Sequence, residues 1–263
     1  MSDIPSPEYL TLQYSNFIED GWFGSKFMET LNLLTLCVID ATVEAGDTCI
    51  DAGANLGVIS KAMKNAVGDI GNVICVEPNP NLAKELMNHD YYVVEAALME
   101  YFSGERDFFL PDNPDHWDLG SIESNYLEKY FPQLDQGISK IKVKATTLDR
   151  ILKKCNHVKF LKLDIEGLDE QVLLGASNMK EMVDLIEWEH NYEVSGEMGR
   201  DLYVKLRTEG FLVFDCFFNE LSPVTCIEPH VAPINRYAVR EDFPKLSFLR
   251  EKIDVFWDAN QDS

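Results

Sequence analysis

The chain has 263 residues, of which 46% are hydrophobic and 26% charged, values that exclude both a wholly disordered chain and a collagen-like one. At this length a core that buries roughly 70–75% of the unfolded surface forms without disulfide staples. Asp and Glu total 45 against 23 Lys and Arg, and the resulting net charge of −22 repels phosphate backbones and anionic lipid. Neither nucleic acid nor a membrane surface is therefore an expected partner.

The cysteines Cys37, Cys49, Cys75, Cys155, Cys216 and Cys226 form no Cys-x-x-Cys pair, and no His follows at zinc-finger spacing. They read as free thiols in a reducing, cytoplasmic compartment, with no metal–thiolate site. The opening Met1-Ser2-Asp3-Ile4-Pro5 has no basic region and no signal-type apolar core. The apolar stretch Leu31–Ala41 is too short for a membrane span and contains Asp40. A soluble protein is expected.

Residues 1–24 are aromatic and acidic without periodicity. From Ser25, Phe27, Leu31, Leu34 and Val38 recur at helical intervals. After the turn at Ala45-Gly46-Asp47 a strand–helix alternation begins. It comprises the strand Thr48–Asp51, a helix from Val58 to Ala66, the strand Val73–Glu77 stopped by Pro78, a helix from Asn81 to Met87, and a third strand Tyr92–Leu98. Residues 111–139, with Trp117, Tyr126, Tyr130 and Phe131, read as an insertion with a short helix around Asn125–Phe131. Its aromatics suit either a lid over a sugar ring or the insertion's own small core.

Lys140-Ile141-Lys142-Val143-Lys144 alternates strictly, a half-exposed strand whose lysines guard a sheet edge. Thr147 is placed to cap a helix running to Lys154. The alternation resumes with the strand Val158–Asp164, the helix Glu170–Ala176, the strand Val183–Glu189, a helix over Glu197–Glu209, the strand Phe211–Phe217 and the short strand Arg236–Val239. Residues 256–263 read as frayed. Strands alternating with helices of this length predict an α/β fold, a mostly parallel sheet covered on both faces. One domain spans 1–263, with an N-terminal helical segment at 1–44, the core at 45–240 and a tail at 241–263.

The segment Asp51-Ala52-Gly53-Ala54-Asn55-Leu56-Gly57 joins a strand to a helix, where glycines permit a sharp turn and close approach of a ligand. In an open α/β sheet this loop lies where ligands bind. A dinucleotide fingerprint needs a second Gly where Asn55 stands, and Asp51 disfavours a nearby diphosphate. A carboxylate there suits an α-amino group or a sulfonium, and Glu77, closing the second strand, is placed for ribose hydroxyls. Together they describe S-adenosylmethionine (SAM).

Asp51-x-Gly53-Ala54-Asn55-x-Gly57, Glu77-Pro78-Asn79-Pro80, Ala97-Leu98 ahead of Gly104, Gly120-Ser121, Thr147-Leu148-Asp149, Leu161-Lys162-Leu163-Asp164-Ile165-Glu166-Gly167 and Leu173-Leu174-Gly175-Ala176, in this order, resemble the FkbM family of SAM-dependent methyltransferases. The resemblance covers about residues 45–190. It implies the Rossmann-like class I methyltransferase sheet of seven strands, parallel except the last, and O-methylation of hydroxyls on sugars, glycans or natural products. Carried over by position, Asp51, Gly53, Asn55 and Gly57 line the methionine end of SAM. Glu77 holds the ribose, Pro78 and Asn79 beside it belong to the cofactor-binding set, Ala97 and Leu98 border the adenine, and Asp164 lies near the methyl group. The ends of the chain and the segment 111–139 match nothing in the family pattern, so the acceptor is left open.

Glu189 and His190 close the fifth strand, and His190 with an ordinary pKa near ~6.5 suits a general base. Asp164, Glu166, Glu189 and His190 could instead gather a divalent ion, although no spaced ligand motif supports one. Strand-end carboxylates can also simply cap the next helix, and Asn79 can be an Asx-turn residue. The expected activity is thus SAM-dependent O-methylation of a small molecule, sugar or glycan. The alternatives are a SAM-binding protein without catalysis, a nucleic-acid or protein methyltransferase and, disfavoured by Asn55, an NAD-dependent oxidoreductase.

Overall fold

The computed structural model describes residues 25–101, 104–123, 127, 137–177, 179–190, 192–227 and 234–260. The chain runs α1 (Ser25–Thr42), β1 (Thr48–Ala52), α2 (Val58–Val67), β2 (Asn72–Val76), α3 (Pro80–Leu86), β3 (Tyr92–Val94), β4 (Ala97–Leu98) and β5 (Gly104–Pro111). A 3₁₀ turn at Pro114–Leu119 precedes β6 (Ile138–Thr146), α4 (Leu148–Leu152), β7 (Val158–Leu163), α5 (Asp169–Gly175), α6 (Met179–Met182) and β8 (Val183–His190). Then come α7 (Tyr192–Thr208), β9 (Phe211–Phe214), a 3₁₀ turn at Thr225–Ile227, β10 (Ile234–Arg240) and α8 (Leu246–Asn260).

Seven strands form one sheet in the order β3-β2-β1-β7-β8-β10-β9. All neighbours are parallel except β10, which runs antiparallel to both β8 and β9. This is the expected class I methyltransferase arrangement, with Arg236–Val239 inside the antiparallel strand. The central strand β7 buries Val158, Phe160, Leu161 and Leu163, an apolar run because helices cover both its faces. On one face Leu34 and Val38 of α1, Met63 and Val67 of α2, and Leu249, Ile253 and Trp257 of α8 pack together. On the other, Ile151, Leu152, Val172, Leu173, Leu202 and Leu206 do the same. The chain builds outward from β1 to β2 and β3, then crosses back to place β7 on the other side of β1. Ligands bind at such a reversal, outside the carboxyl ends of β1 and β7.

The structure corrects four expectations. The third strand is two: a tight turn in which Ala96 N–H donates to the Val94 carbonyl (2.9 Å) sends Ala97–Leu98 into a second sheet of order β4-β6-β5. The excursion from the main sheet therefore begins at Ala97 rather than at residue 111. The strand carrying Lys140, Lys142 and Lys144 lies in the middle of that sheet rather than at an edge, and Asp107 of β5 pairs with Lys140 (2.8 Å) and Lys142 (2.6 Å). The strand expected over Phe211–Phe217 stops at Phe214, because the Asp215 carboxylate captures the N–H groups of Phe217 and Asn219, each at 2.9 Å. Finally, the tail is helical to Asn260: Trp257 is buried and its indole N–H donates to the Cys216 carbonyl at 2.9 Å. The short helix expected around Asn125–Phe131, with Tyr126, Tyr130 and Phe131, falls outside the described residues except Leu127. Among the described residues no helix is long and apolar enough to cross a membrane.

Candidate functional site

At the reversal point the β1–α2 loop folds back over β2. Gly53 and Ala54 N–H both donate to the Val76 carbonyl, at 2.9 and 3.2 Å. This reversal requires left-handed backbone at Gly53 (φ 77), Asn55 (φ 50) and Gly57 (φ 78). Asn tolerates that conformation better than most non-glycine residues, so the position where a dinucleotide fold needs Gly is occupied without loss of the turn. A Cβ on Gly53 would come within 1.8 Å of the Asp164 carbonyl oxygen, so the β1 and β7 loops touch there through a bare backbone.

Glu77, 5% exposed, follows β2 and is held at both oxygens: Oε2 accepts the Asn55 N–H at 2.9 Å and Oε1 the Asn79 N–H at 2.8 Å. Each oxygen retains a second lone pair, which leaves the carboxylate able to accept two hydroxyls. Burial raises its pKa to about 7, against the stabilising pull of those two N–H groups. Asp51, 1% exposed, accepts the Ser60 hydroxyl at Oδ2 (2.5 Å), while its buried Oδ1 has no protein partner. Burial raises its pKa also, and the Lys162 ammonium opposes the rise.

A solvent-open cleft lies beside this loop. Gly53, Glu77, Pro78, Leu82, Ala97 and Leu98 line one side, so five of the nine predicted cofactor residues meet in it. Phe108, Trp117, Gly120 and Ile122 from the second sheet and its 3₁₀ turn face them, and Asp164, Ile165 and Glu166 close the end. The second sheet is fastened to that end, since Ser121 Oγ donates to the Glu166 carbonyl at 3.2 Å. Asp51, in β1, and Asn55 and Gly57, in the loop, do not line the cleft. Asn79 takes the second of its two expected roles, the Asx turn: its buried side chain caps α3, Oδ1 accepting the Asn81 N–H at 3.0 Å, and does not line the cleft.

The acceptor-side candidates separate. The Asp164 carboxylate is 45% exposed at the cleft and bonded to Lys162 Nζ at 3.0 Å. The pKa of Glu189 is well above the carboxylate range, first through burial, then through the charges of Asp164, Glu166 and Asp169. His190 does not face the cleft. It is 1% exposed, with Nδ1 2.6 Å from Oε1 of Glu170, which is also buried. Burial and the Arg236 charge lower its pKa to about 4, outweighing Glu170. The ordinary imidazole that the base role required is therefore absent, because β10 and α5 seal the strand end. Among the described residues no group of three or more His, Cys, Asp or Glu side chains is arranged to hold a metal ion.

Sequence reasoning passed over Lys162 and Phe108, whereas Trp117 was among the aromatics it offered as a lid or as the insertion's own core. The lysine had a signal: a charge inside a strand buried on both faces must find partners. Phe108 had none, since its place depends on pairing between Gly104–Pro111 and Ile138–Thr146.

The residues fit SAM. The cleft joins an apolar side, suited to adenine, to a buried carboxylate able to take ribose hydroxyls. The unpartnered Asp51 Oδ1 is an acceptor of the kind an α-ammonium group satisfies.

No curated protein matches the chain. Among solved structures, the chain is similar to a methyltransferase FkbM from Methylobacillus flagellatus at 14% identity and a TM-score of 0.44, covering 74% of this chain and 43% of that one. It is similar to Aeropyrum pernix fibrillarin with bound SAM at 13% identity and a TM-score of 0.40, covering 75% and 68%. A SAM-dependent O-methyltransferase from Thermotoga maritima shares 18% identity with a TM-score of 0.36, covering 90% and 72%. The chain thus spans less than half the length of the first of these. The Methyltransferase FkbM domain matches residues 51–213, more than half of the chain. By that match the chain belongs to the FkbM family of methyltransferases, and its cofactor is S-adenosylmethionine.

Proposed function

We propose that the chain, acting as one methyltransferase domain, transfers the SAM methyl group to a hydroxyl of a cytoplasmic small molecule, sugar or glycan. The observation that carries this reading is the chemistry of the cleft's closed end, where Asp164 and Glu166 line the wall; Glu189 does not line it, but the charges of those two carboxylates reach it and help raise its pKa. An anionic lining repels phosphate-rich polymers and suits a neutral hydroxyl donor. A carboxylate of raised pKa is also a stronger proton acceptor than an ordinary one.

In this reading Glu77 orients the ribose, with Pro78, Ala97 and Leu98 against the adenine. Asp51, Gly53, Asn55 and Gly57 hold the methionine end, and Asn79 acts indirectly by fixing the Glu77 carboxylate. The cofactor supplies an electrophilic sulfonium methyl. The protein's share is alignment, exclusion of water and, at Glu189, a place for the hydroxyl proton. His190 has no part in that step.

The test is conversion of SAM to S-adenosylhomocysteine with a panel of sugar, glycan and phenolic acceptors beside RNA oligonucleotides and protein acceptors. Turnover confined to hydroxylated small molecules or glycans supports the proposal. Turnover on RNA or protein alone overturns it, and SAM binding without turnover on any acceptor identifies a non-catalytic binder.

A further inference from the structure

A line of polar side chains crosses the sheet beneath the cofactor loop. Asp51 of β1 is the register partner of Lys162 on β7, Lys162 of Glu187 on β8, and Glu187 of Tyr237 on β10. Directly paired residues project from the same face of a sheet, so these four side chains form one row under α1. Asp51, Lys162, Glu187 and Tyr237 are exposed by 1, 5, 1 and 0% respectively. The far end is pinned, since Glu187 Oε1 accepts the Thr35 hydroxyl of α1 at 2.7 Å and the Asn235 amide at 2.6 Å. At the near end Lys162 Nζ bonds Asp164, which lines the cleft, at 3.0 Å.

We propose that Lys162 is a positioning residue for the cofactor: its ammonium, bonded to Asp164 and next to Asp51 in the row, favours the ionised Asp51 carboxylate and holds Asp164 at the cleft. Lys162 does not itself line the cleft, so it acts only through these two carboxylates. The electrostatics agree. Burial pulls the Lys162 pKa down, but Asp164, Asp51 and Glu187 together leave it raised, so the ammonium stays charged. Asp51 is faced by Lys162 from β7, Ser60 from α2, Cys75 from β2, and Asp164, Glu77 and Tyr91 around the strand ends. Lys162 is the one cation in that set. Glu187 is faced by Lys162, Thr35, Asn235, Tyr237 and Asp164, and burial raises its pKa to about 7.

This inference rests on the reading that Asp51 serves the methionine end of SAM, and the experiment separates the two. Calorimetry measures SAM and S-adenosylhomocysteine affinity for the full chain between pH 7.5 and 6.0. Lys162→Met is expected to weaken binding about tenfold or more at pH 7. The loss should grow more steeply on acidification than in wild type, as Asp51 takes up a proton; each unit of pKa rise is about tenfold. Lys162→Arg is expected to recover most of the affinity. Glu187→Gln removes a competing carboxylate, so binding at pH 6.0 should be unchanged or tighter.

Lys162→Met within twofold of wild type across this range overturns the proposal, as does a Glu187→Gln variant that loses affinity as Lys162→Met does. If Lys162→Met fails to fold, the sign of the Glu187→Gln effect decides alone. Asp51→Asn with wild-type affinity refutes the underlying reading. Asp51→Asn that loses affinity while Lys162→Met keeps it refutes only this inference.

Discussion

His190 Nδ1 and Glu170 Oε1 lie 2.6 Å apart, both side chains sealed between β8 and α5. With its pKa near 4, His190 is neutral at pH 7, and Nδ1–H donates to the Glu170 carboxylate. A hydrogen bond to a charged group contributes about 1.5–3 kcal/mol. His190→Gln is therefore expected to lower Tm by several degrees while turnover stays within about threefold of wild type.

The same residue predicts a pH effect. The folded pKa of about 4 lies below the ordinary value, so between about pH 6.5 and 4 the unfolded chain binds the proton and the folded chain does not. Stability from this group is present above that window and falls as pH drops through it. The Tm difference between wild type and His190→Gln should narrow from pH 7 to pH 4.5. A difference constant with pH would mean that the His190 pKa does not change on folding.

Glu77 gives the opposite sign in the free protein, because its folded pKa near 7 favours the protonated form there. Ribose hydroxyls donating to the carboxylate favour the ionised form, so binding at pH 6.5 should release a proton. Calorimetry in two buffers of different ionisation enthalpy measures it directly. Glu77→Gln should abolish that release and weaken SAM by roughly 10- to 150-fold, the equivalent of ~1.5–3 kcal/mol.

Two glycines with nearly equal φ make a controlled pair. Gly210 (φ +82) has open space where a Cβ would stand, whereas the Cβ of Gly53→Ala would meet the Asp164 carbonyl at 1.8 Å. Gly210→Ala should cost only the backbone penalty, about 1–2 kcal/mol. Gly53→Ala must also push the β1 and β7 loops apart, so SAM binding should be lost even where the protein folds. Equal Tm losses with SAM affinity intact would show that the contact yields easily.

Turnover is expected to survive EDTA. Asp164, a carboxylate of the cleft lining, already has a cation in Lys162, and Asp169 Oδ1 accepts the Ile165 N–H at 3.2 Å. Loss of activity with EDTA, restored by Mg²⁺ or Mn²⁺, would instead make Asp164 and Glu189 metal ligands.

The strand–loop–helix from Thr48 to Val67 and the carboxylate after β2 were legible in the sequence because they are local. Glycine spacing sets the turn, strand hydrophobicity sets its neighbours, and both act within about twenty residues of chain. The alternation of strands and helices likewise announced the parallel sheet. Tertiary structure alone decided which strands are neighbours. That choice put Lys140 and Lys142 in the centre of a second sheet, turned Phe108, Trp117 and Ile122 toward the cleft, and set Lys162 between Asp51 and Glu187. It also sealed His190 against Glu170, where burial and Arg236 removed the basicity expected of it. Periodicity reports which face of a strand is buried, but not which residue stands opposite; charge, pKa and pairing depend on that second fact.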